Sequence, residues 1–437
     1  MSNFIINGGH KLSGRIETNA AKNSAVAILC ATTMIKGTTT LSHVPVIEEV
    51  KRIIEVLTSI GLKMQWTGEH SLSIQNDGKI NPAAINQESF LKTRSGLLLM
   101  GALSSSFADF SLPNPSGCRL GIRTVNPHAI ALSHLGITVK CSNHAYLISR
   151  KKTKAAEFTM YESGDTATEN AIMAALFAPG RTTIHFASAN YMVQDLCYFL
   201  KAAGADIKGV GASTLTITGV KELNPVKDYP IMPDPIETMA FISIAITTKS
   251  KLLVTHCPID FLRLEMEKLR LMGQKFKISR PYKSANGQFD LVDIEINPSN
   301  LKALPDKIHP QPYPGLNIDN LPLFIPILTQ ARGQTLVHDW VYENRAIYYT
   351  ELNKLGANIM LHDPHRVTVT GPTELTPAEI ICPPALRPSL NLLICMLAAK
   401  GQSILRNSYS IDRGYENIVG RLNKLGAEIK CIDKLDL

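Results

Sequence analysis

The stretch "NIVGRLNKLGAEI" at residues 417–429 predicts an amphipathic helix that stops at Gly426 and is followed directly by a strand. Its apolar residues have helical spacing, and glycine suits the left-handed conformation that commonly ends a helix. The same pattern occurs in "YYTELNKLGANIM", where the helix stops at Gly356. Helix, glycine and strand occur six times, with the glycines about 70 to 80 residues apart. The six glycines are Gly61, Gly136, Gly204, Gly273, Gly356 and Gly426.

Six further segments, which alternate with the first set, are apolar on nearly all sides. "ETMAFISIAIT" and "SLNLLICMLAA" are two of them. A helix that is apolar all round must be buried all round. Short strands such as "GQTLVHDW" and "GQSILRN" follow most of these segments. The pattern therefore predicts an α/β fold with six units of strand, buried helix, strand, outer helix and strand, divided into two domains of three units.

Length, charge and hydropathy limit the classes of function. The 437 residues suit two domains, and the net charge of +8 is spread along the chain without interleaved aromatic and basic residues. The N-terminus "MSNFIINGGHKLSG" lacks the pattern of an export signal, and the longest apolar runs are shorter than the roughly 20 residues of a membrane span. We therefore expect a cytoplasmic protein that binds a small anionic ligand, with no nucleic-acid or membrane partner.

The eight cysteines and the paired histidines do not indicate a metal centre. No two cysteines form a CxxC pair, and cytosolic cysteines are expected to be reduced. His362 and His365 have near-ligand spacing, but they lie in a turn ahead of the strand "RVTVTG". We expect no metal site.

Three cations stand at equivalent positions, just before or at the start of predicted buried helices: Lys22, Arg94 and Arg387. A positive charge at a helix N-terminus opposes the helix dipole. An anion held by all three explains the placement, and the backbone N–H groups at the same helix ends would add donors. The alternative is that each side chain independently reaches solvent.

The loop "SLPNPSGCRLGIRTVNPH" at residues 111–128 places Cys118 beside Arg119 and Arg123. Neighbouring positive charges favour the thiolate, which is the reactive form of cysteine. From this loop alone, a structural role for Cys118 as a small apolar side chain remains equally open.

Several short motifs, taken in order, resemble those of the enolpyruvyl transferases. They are "AKN" at 21–23, "GCRLGIR" at 117–123, "YPGLNID" at 313–319, "ENR" at 343–345 and "IDRGYE" at 411–416. The resemblance extends from the first predicted strand to the last helix. It implies a two-domain inside-out α/β barrel, with buried helices inside, sheets outside and three repeats per domain. It also implies that residues 1–21 and 231–437 form one domain, and that residues 22–230 form an inserted domain that carries the Cys118 loop.

The resemblance further implies a reaction at the cleft between the domains. The branch of the family that the chain resembles most transfers the enolpyruvyl group of phosphoenolpyruvate to the 3-hydroxyl of UDP-N-acetylglucosamine, releases phosphate and so begins peptidoglycan synthesis. Asp319 then takes the proton of the acceptor hydroxyl, Cys118 donates a proton and assists product release, and Asn23 holds the intermediate. No metal or cofactor is implied, because cationic side chains stabilise the charge. Lys22, Arg123 and Arg413 hold the donor's phosphate and carboxylate, with Arg94, Arg345 and Arg387 close by.

The sequence departs from the family pattern mainly where the acceptor nucleotide binds. Thr124 and Asn126 stand where the family has its uracil-binding residues, and Asp165 and Thr166 lie in the turn that contacts the diphosphate. Two alternatives therefore stay open: an enolpyruvyl transferase for another hydroxyl acceptor, such as a different nucleotide, and a non-catalytic ligand-binding paralogue. Retention of the full set of anion-binding residues argues against the second.

Overall fold

The computed structural model describes residues 3–114, 124–142 and 144–432. These residues form two compact units. The first unit comprises the described residues up to 19 and from 233 onward, and the second comprises the described residues between 20 and 232. Cys118 and Arg123, both singled out in the sequence, lie outside the described residues.

The chain starts in the first unit and then builds the second. The first unit begins with β1 (Asn3–Gly8) and β2 (Ser13–Glu17). The helices of the second unit are α1 (Lys22–Ala31), α2 (Glu48–Ser59), α3 (Gln87–Leu91), α4 (Leu99–Ser104), α5 (Asn126–His134), α6 (Asp165–Ala175) and α7 (Tyr191–Ala202), with 3₁₀ helices at Thr32–Met34, Pro82–Ala84 and Ser95–Leu98. Its strands are β3 (Gly37–Ser42), β4 (Lys63–Gly68), β5 (Ser71–Asn76), β6 (Asp109–Pro113), β7 (Ile137–Cys141), β8 (Ala145–Arg150), β9 (Glu157–Thr159), β10 (Arg181–His185), β11 (Asp206–Lys208), β12 (Thr214–Thr218) and β13 (Tyr229–Pro230).

The described residues of the second unit form three sheets. Their strand orders are β13-β3-β5-β4, β6-β8-β7 and β11-β12-β10-β9. Within each sheet the pairing is antiparallel, except that β13 joins β3 and β9 joins β10 in parallel. The sheets are therefore mixed overall.

The rest of the chain completes the first unit. Its helices are α8 (Pro235–Thr247), α9 (Arg263–Leu271), α10 (Phe324–Leu328), α11 (Leu386–Ala398), α12 (Tyr409–Asp412) and α13 (Ile418–Lys424), with 3₁₀ helices at Ile259–Phe261, Leu321–Leu323 and Ala346–Leu355. Its further strands are β14 (Lys251–Pro258), β15 (Lys275–Ile278), β16 (Tyr282–Lys283), β17 (Asp290–Asn297), β18 (Gly333–His338), β19 (Asn358–Asp363), β20 (Arg366–Gly371), β21 (Glu379–Ile381), β22 (Gly401–Arg406) and β23 (Glu428–Ile432).

The first unit also has three sheets among its described residues. Their orders are β21-β22-β1-β23, β15-β17-β14-β2 with β16 on β17, and β18-β20-β19. Two of these sheets carry one parallel pair each, β21 with β22 and β2 with β14. The strands β1 and β2 thus pair with strands more than 200 residues away, which is why the first unit is built from both ends of the chain.

The helices that are apolar all round lie in the cores of their units. Every residue of α8 is buried, as are eleven consecutive residues of α11 from Arg387 to Leu397. By contrast, α2 buries one face, including Val50, Ile53 and Leu57. The segment "NLPLFIPILTQA" differs from expectation, since it starts as a 3₁₀ helix and continues only as the five-residue α10. Pro322 and Pro326 lack the N–H groups that a longer α-helix requires.

The predicted glycine stops are confirmed. All six glycines have positive φ, between 82° at Gly356 and 113° at Gly61. At Gly136 a β-carbon would also lie 2.3 Å from the carbonyl oxygen of Lys152. Only glycine adopts this backbone conformation without steric cost. Among the described residues, no helix combines the length and apolar character that a membrane span requires.

Candidate active site

In the first unit, a buried carboxyl group accepts hydrogen bonds from the loop that carries Asp319. Asp319 lies just ahead of the 3₁₀ helix at Leu321–Leu323, with its side chain 24% exposed. Its backbone N–H donates to Asn317 Oδ1 at 2.8 Å. Glu265 on α9 accepts from the Asn317 N–H at 3.2 Å and from Asn320 Nδ2 at 2.8 Å, both at Oε1. Burial raises the pKa of Glu265, and these bonds fix the loop backbone around Asp319.

Two buried arginines flank the Asp319 carboxylate. Arg345 Nη1 lies 3.5 Å from Oδ1, and Arg387 Nη2 lies 3.7 Å from Oδ2. Both distances are longer than those of hydrogen bonds. The carboxylate is therefore attracted by both positive charges without a close hydrogen bond to either of these two nitrogens. Arg387 is the second residue of α11, where a cation opposes the helix dipole. Asp319 supplies a negative charge at that position, and the structure brings together these three residues singled out in the sequence.

Arg345 is held by groups that sequence reasoning did not single out. Its Nε and Nη2 donate to Asp339 Oδ2 and Oδ1 at 2.6 and 2.8 Å. Nη2 also donates to the carbonyl oxygen of Ile318 at 2.8 Å. The Tyr349 hydroxyl donates to Asp339 Oδ2 at 2.5 Å. The guanidinium group is thus fixed on one edge, while its Nη1 faces Asp319.

The motif "IDRGYE" supplies a second contact to Arg387. Arg387 Nη1 donates to the hydroxyl of Tyr415 at 2.5 Å, and burial raises the pKa of that tyrosine. Arg413 follows α12, which packs against α11, and is half-buried. Arg413 and Arg387 therefore belong to neighbouring helices of the same unit.

In the second unit, Lys22 and Asn23 begin α1. Asn23 Nδ2 donates to the hydroxyl of Tyr191 at 3.0 Å, and Tyr191 is fully buried at the start of α7. The half-buried Lys22 side chain makes no hydrogen bond or ion pair with any other residue that the structure describes. A lysine in this position is free to hold an external anion.

Arg94 stands at the start of the 3₁₀ helix Ser95–Leu98, and its loop is fixed by α2. The buried Glu49 on α2 accepts hydrogen bonds from the hydroxyls of Thr93 and Ser95, the residues on either side of Arg94. These bonds set the backbone position from which the half-buried Arg94 side chain extends.

Asn170 on α6 joins this region to α5. Its Oδ1 accepts from the Gly101 N–H at 2.6 Å, and its Nδ2 donates to the Leu97 carbonyl oxygen at 3.0 Å and to His128 Nδ1 at 2.8 Å. Burial, and secondarily the charge of Arg94, lowers the pKa of His128 from 6.5 to about 4. His128 is therefore neutral near pH 7 and accepts the hydrogen bond.

The residues singled out for the acceptor lie around the start of α5. Thr124, Asn126 and Thr166 are exposed. Thr166 Oγ1 lies 3.4 Å from His128 Nε2, which places the start of α6 beside the start of α5. The structure thus brings these three residues to the same surface of the second unit.

Asp165, the acidic departure from the family pattern, is directed toward the start of α7. Its Oδ1 accepts from Ser188 Oγ at 2.5 Å, and its Oδ2 accepts from Asn190 Nδ2 at 3.1 Å. In the next turn of α6 the buried Glu169 has a raised pKa, first because of burial and then because of the charge of Asp165. Burial and the nearby charge of Asp165 therefore both disfavour the ionised form of Glu169.

No group of three or more metal-ligating side chains occurs within residues 3–114, 124–142 and 144–432. His362 Nε2 lies 2.7 Å from Thr368 Oγ1, and His365 Nδ1 lies 3.1 Å from the Asp339 carbonyl oxygen. The two histidines take part in local hydrogen bonds rather than in a shared site.

Sequence reasoning missed the buried polar residues that support the site. These residues are Glu49, Asn170, Tyr191, Glu265, Asp339 and Tyr349. A signal was available for Asn170 and Tyr191, which lie in apolar segments, where a polar group is costly unless it is hydrogen-bonded. Glu49 and Glu265 lie among other charged residues of their helices and give no such signal.

The sequence profile of the EPSP synthase (3-phosphoshikimate 1-carboxyvinyltransferase) family matches residues 6–422. UDP-N-acetylglucosamine 1-carboxyvinyltransferase of Bacteroides fragilis is 33% identical over 99% of this chain and 100% of its own length. The protein of the same name from Bradyrhizobium diazoefficiens is 34% identical over 98% of both chains.

Solved structures show the same fold over nearly the whole chain. The enolpyruvyl transferase NikO from Streptomyces tendae superposes with a TM-score of 0.86 at 22% identity and covers 99% of both chains. EPSP synthase from Acinetobacter baumannii superposes with a TM-score of 0.77 at 18% identity, covering 99% of this chain and 100% of that one. Both likenesses support a two-domain α/β fold with mixed sheets.

Proposed function

The chain belongs to the EPSP synthase family, and we propose that it transfers the enolpyruvyl group of phosphoenolpyruvate to the 3-hydroxyl of UDP-N-acetylglucosamine. Phosphate is released, and the product enters peptidoglycan synthesis. The observation that carries this proposal is the identity of 33% with UDP-N-acetylglucosamine 1-carboxyvinyltransferase over 99% of this chain. The resemblance to enolpyruvyl transferases found in the sequence is thereby confirmed.

For the donor, we assign phosphate and carboxylate binding to Lys22, Arg123 and Arg413. The absence of an internal partner for the Lys22 side chain among the described residues supports its part in this assignment. A permanent cation at the start of α1 acts together with the backbone N–H groups there, which suits a phosphate. The roles of Arg123 and of Cys118, the proposed proton donor, rest on the family resemblance. We place Arg94 close to the bound phosphoenolpyruvate, next to the residues that hold it.

For proton transfer, we assign the general base to Asp319. Its side chain is partly exposed, while its loop is anchored by Glu265, so the carboxylate is accessible and fixed in position. The nearby positive charges of Arg345 and Arg387 favour its ionised form, which is the form that can accept the proton of the acceptor hydroxyl. The hydroxyl oxygen then adds to the phosphate-bearing carbon of the donor while the neighbouring carbon takes up a proton, for which Cys118 is the proposed donor. Loss of a proton from that carbon together with phosphate restores the double bond.

A different hydroxyl acceptor is the second candidate, and it rests on the departures at Thr124, Asn126 and Asp165. Asp165 supports it only weakly, because both of its carboxylate oxygens accept hydrogen bonds from the start of α7. Thr124 and Asn126 are exposed and remain the stronger reason to test other nucleotides as acceptors.

For the architecture, we propose an inside-out barrel with three repeats per domain. The three sheets among the described residues of each unit, the fully buried α8 and the largely buried α11 support this arrangement.

The proposed activity is tested by measuring phosphate release from phosphoenolpyruvate in the presence of UDP-N-acetylglucosamine, with mass spectrometry of the product. One enolpyruvyl product is expected per phosphate. Other nucleotides and nucleotide sugars are assayed in parallel. Turnover with one of these and none with UDP-N-acetylglucosamine would support the second candidate, whereas ligand binding without any turnover would support a non-catalytic paralogue.

Replacing Lys22 by alanine tests the proposed binding of phosphoenolpyruvate. We expect kcat/KM for phosphoenolpyruvate to fall at least 100-fold, because a charge-assisted contact to phosphate is lost. Lys36→Ala is the matched control, since Lys36 is exposed just beyond the same helix. Equal activity of the two variants would contradict the role given to Lys22.

A further inference from the structure

Three side chains in the core of the first unit are joined by hydrogen bonds: Asp339, Arg345 and Tyr349. All three are buried, with exposed fractions of 0, 1 and 1% respectively. Asp339 accepts two hydrogen bonds from Arg345 and a third from the hydroxyl of Tyr349. Asp339 lies directly after β18, and Tyr349 lies in the 3₁₀ helix that begins just after Arg345.

The geometry of this group determines what Arg345 can reach. The guanidinium group is planar, so the two bonds from Nε and Nη2 to Asp339 fix the orientation of the whole plane. The remaining nitrogen, Nη1, is left 3.5 Å from Asp319 Oδ1. Nη2 also donates to the carbonyl oxygen of Ile318, the residue before Asp319. Arg345 therefore holds both the backbone and the carboxylate of the Asp319 segment.

The charges of this group are also balanced. A buried guanidinium without a counter-ion is strongly unfavourable, and Asp339 supplies that counter-ion. Two of the groups that face the Asp319 carboxylate are Arg345, whose charge is largely offset by Asp339, and Arg387, which Tyr415 contacts through its hydroxyl. Without Asp339, the uncompensated charge of Arg345 would attract the Asp319 carboxylate more strongly and make it a weaker base.

We infer that Asp339 and Tyr349 are positioning residues for the transfer reaction, which orient Arg345 and moderate its pull on Asp319. The inference rests on the proposed function, because it takes Asp319 as the base.

Tyr349→Phe is the first test, because it leaves the Asp339–Arg345 pair in place and removes a single hydroxyl. We expect kcat to fall about tenfold while KM for phosphoenolpyruvate changes less than threefold. Tyr348→Phe is the matched control, since it removes the hydroxyl of the adjacent residue, and that hydroxyl has no hydrogen-bond partner among the described residues. Equal kcat values for the two variants would overturn the inference.

Asp339→Asn tests the charge. We expect the acid limb of the pH profile of kcat/KM to move to lower pH, along with a lower plateau, because Arg345 then acts more strongly on Asp319. A purely structural role predicts a lower plateau with an unmoved limb, and that result would overturn the inference. If Asp339→Asn fails to fold, the comparison of Tyr349→Phe with Tyr348→Phe decides.

The same experiments separate this inference from the proposed function. An inactive parent protein, or an Asp319→Asn variant with parental activity, would refute the assigned reaction or base. An active parent, an inactive Asp319→Asn variant and a Tyr349→Phe variant that matches its control would leave the reaction intact and refute only the positioning role.

Discussion

Replacing His128 by glutamine is expected to remove an acid-sensitive group from the second unit. Burial and the charge of Arg94 lower the pKa of His128 from 6.5 to about 4. The unfolded chain therefore binds a proton at this imidazole near pH 6.5, whereas the folded chain does so only near pH 4. Because the unfolded state binds more protons in this interval, stability falls as the pH falls from about 7 to 4.

The size of the effect follows from the two pKa values. The interval between 6.5 and about 4 corresponds to about 3 kcal/mol of unfolding free energy lost by pH 4. Asp195 acts in the opposite direction, since burial raises its pKa to about 6 and its carboxyl binds a proton more tightly in the folded chain. The contribution of His128 is therefore the difference between the pH dependences of the parent and of His128→Gln.

The positions of the two tryptophans allow this difference to be measured for the second structural unit alone. Trp66 lies in β4 of the second unit, and Trp340 lies in the first. In a Trp340→Phe background, urea unfolding followed by tryptophan fluorescence reports the second unit between pH 7 and pH 4. His144→Gln, which changes an exposed histidine of the same unit, serves as the control. If the parent and His128→Gln lose stability equally on acidification, the reasoning is refuted.

Two further substitutions test contacts in the second unit. Tyr191→Phe removes the hydroxyl that accepts a hydrogen bond from the Asn23 side chain. We expect kcat to fall about threefold to tenfold, because the Asn23 amide group loses its orientation. An unchanged kcat in steady-state kinetics would contradict this expectation. Asn170→Ala leaves the Gly101 N–H without its side-chain partner and removes one of the hydrogen bonds to the Leu97 carbonyl. We expect a loss of about 1–3 kcal/mol in unfolding free energy and faster hydrogen exchange at the Gly101 amide. Loss of less than 1 kcal/mol, or an unchanged exchange rate, would show that other groups replace these bonds.

The features that were predictable from the sequence are those set by local backbone chemistry and by periodicity. Gly356 and Gly426 end their helices with positive φ because a residue with a β-carbon is strained in that conformation. The burial of α8 on all sides follows from its lack of a polar face. Neither conclusion requires knowledge of the neighbours in space.

The supporting hydrogen bonds were not predictable in the same way, because each depends on which elements become neighbours. Asn170 bonds residues 69 and 42 positions away in the chain, and no local pattern indicates either partner. Tyr349 resembles an ordinary core tyrosine in its segment. Its pairing with Asp339 appears only when β18 and the 3₁₀ helix Ala346–Leu355 are placed together.

Asp165 shows how the neighbours of a charged residue in the fold change the effect that is expected from its charge alone. In the sequence, an acid in this turn opposes a diphosphate acceptor by simple repulsion. In the structure, Ser188 and Asn190 donate to its two oxygens, and charge-assisted bonds of this kind offset part of the cost of a carboxylate. Burial and the charge of Asp165 raise the pKa of Glu169, which disfavours a second negative charge in the next turn of α6. The weight of the acceptor question therefore moves from Asp165 to Thr124 and Asn126, which are exposed and which we propose to line the acceptor pocket.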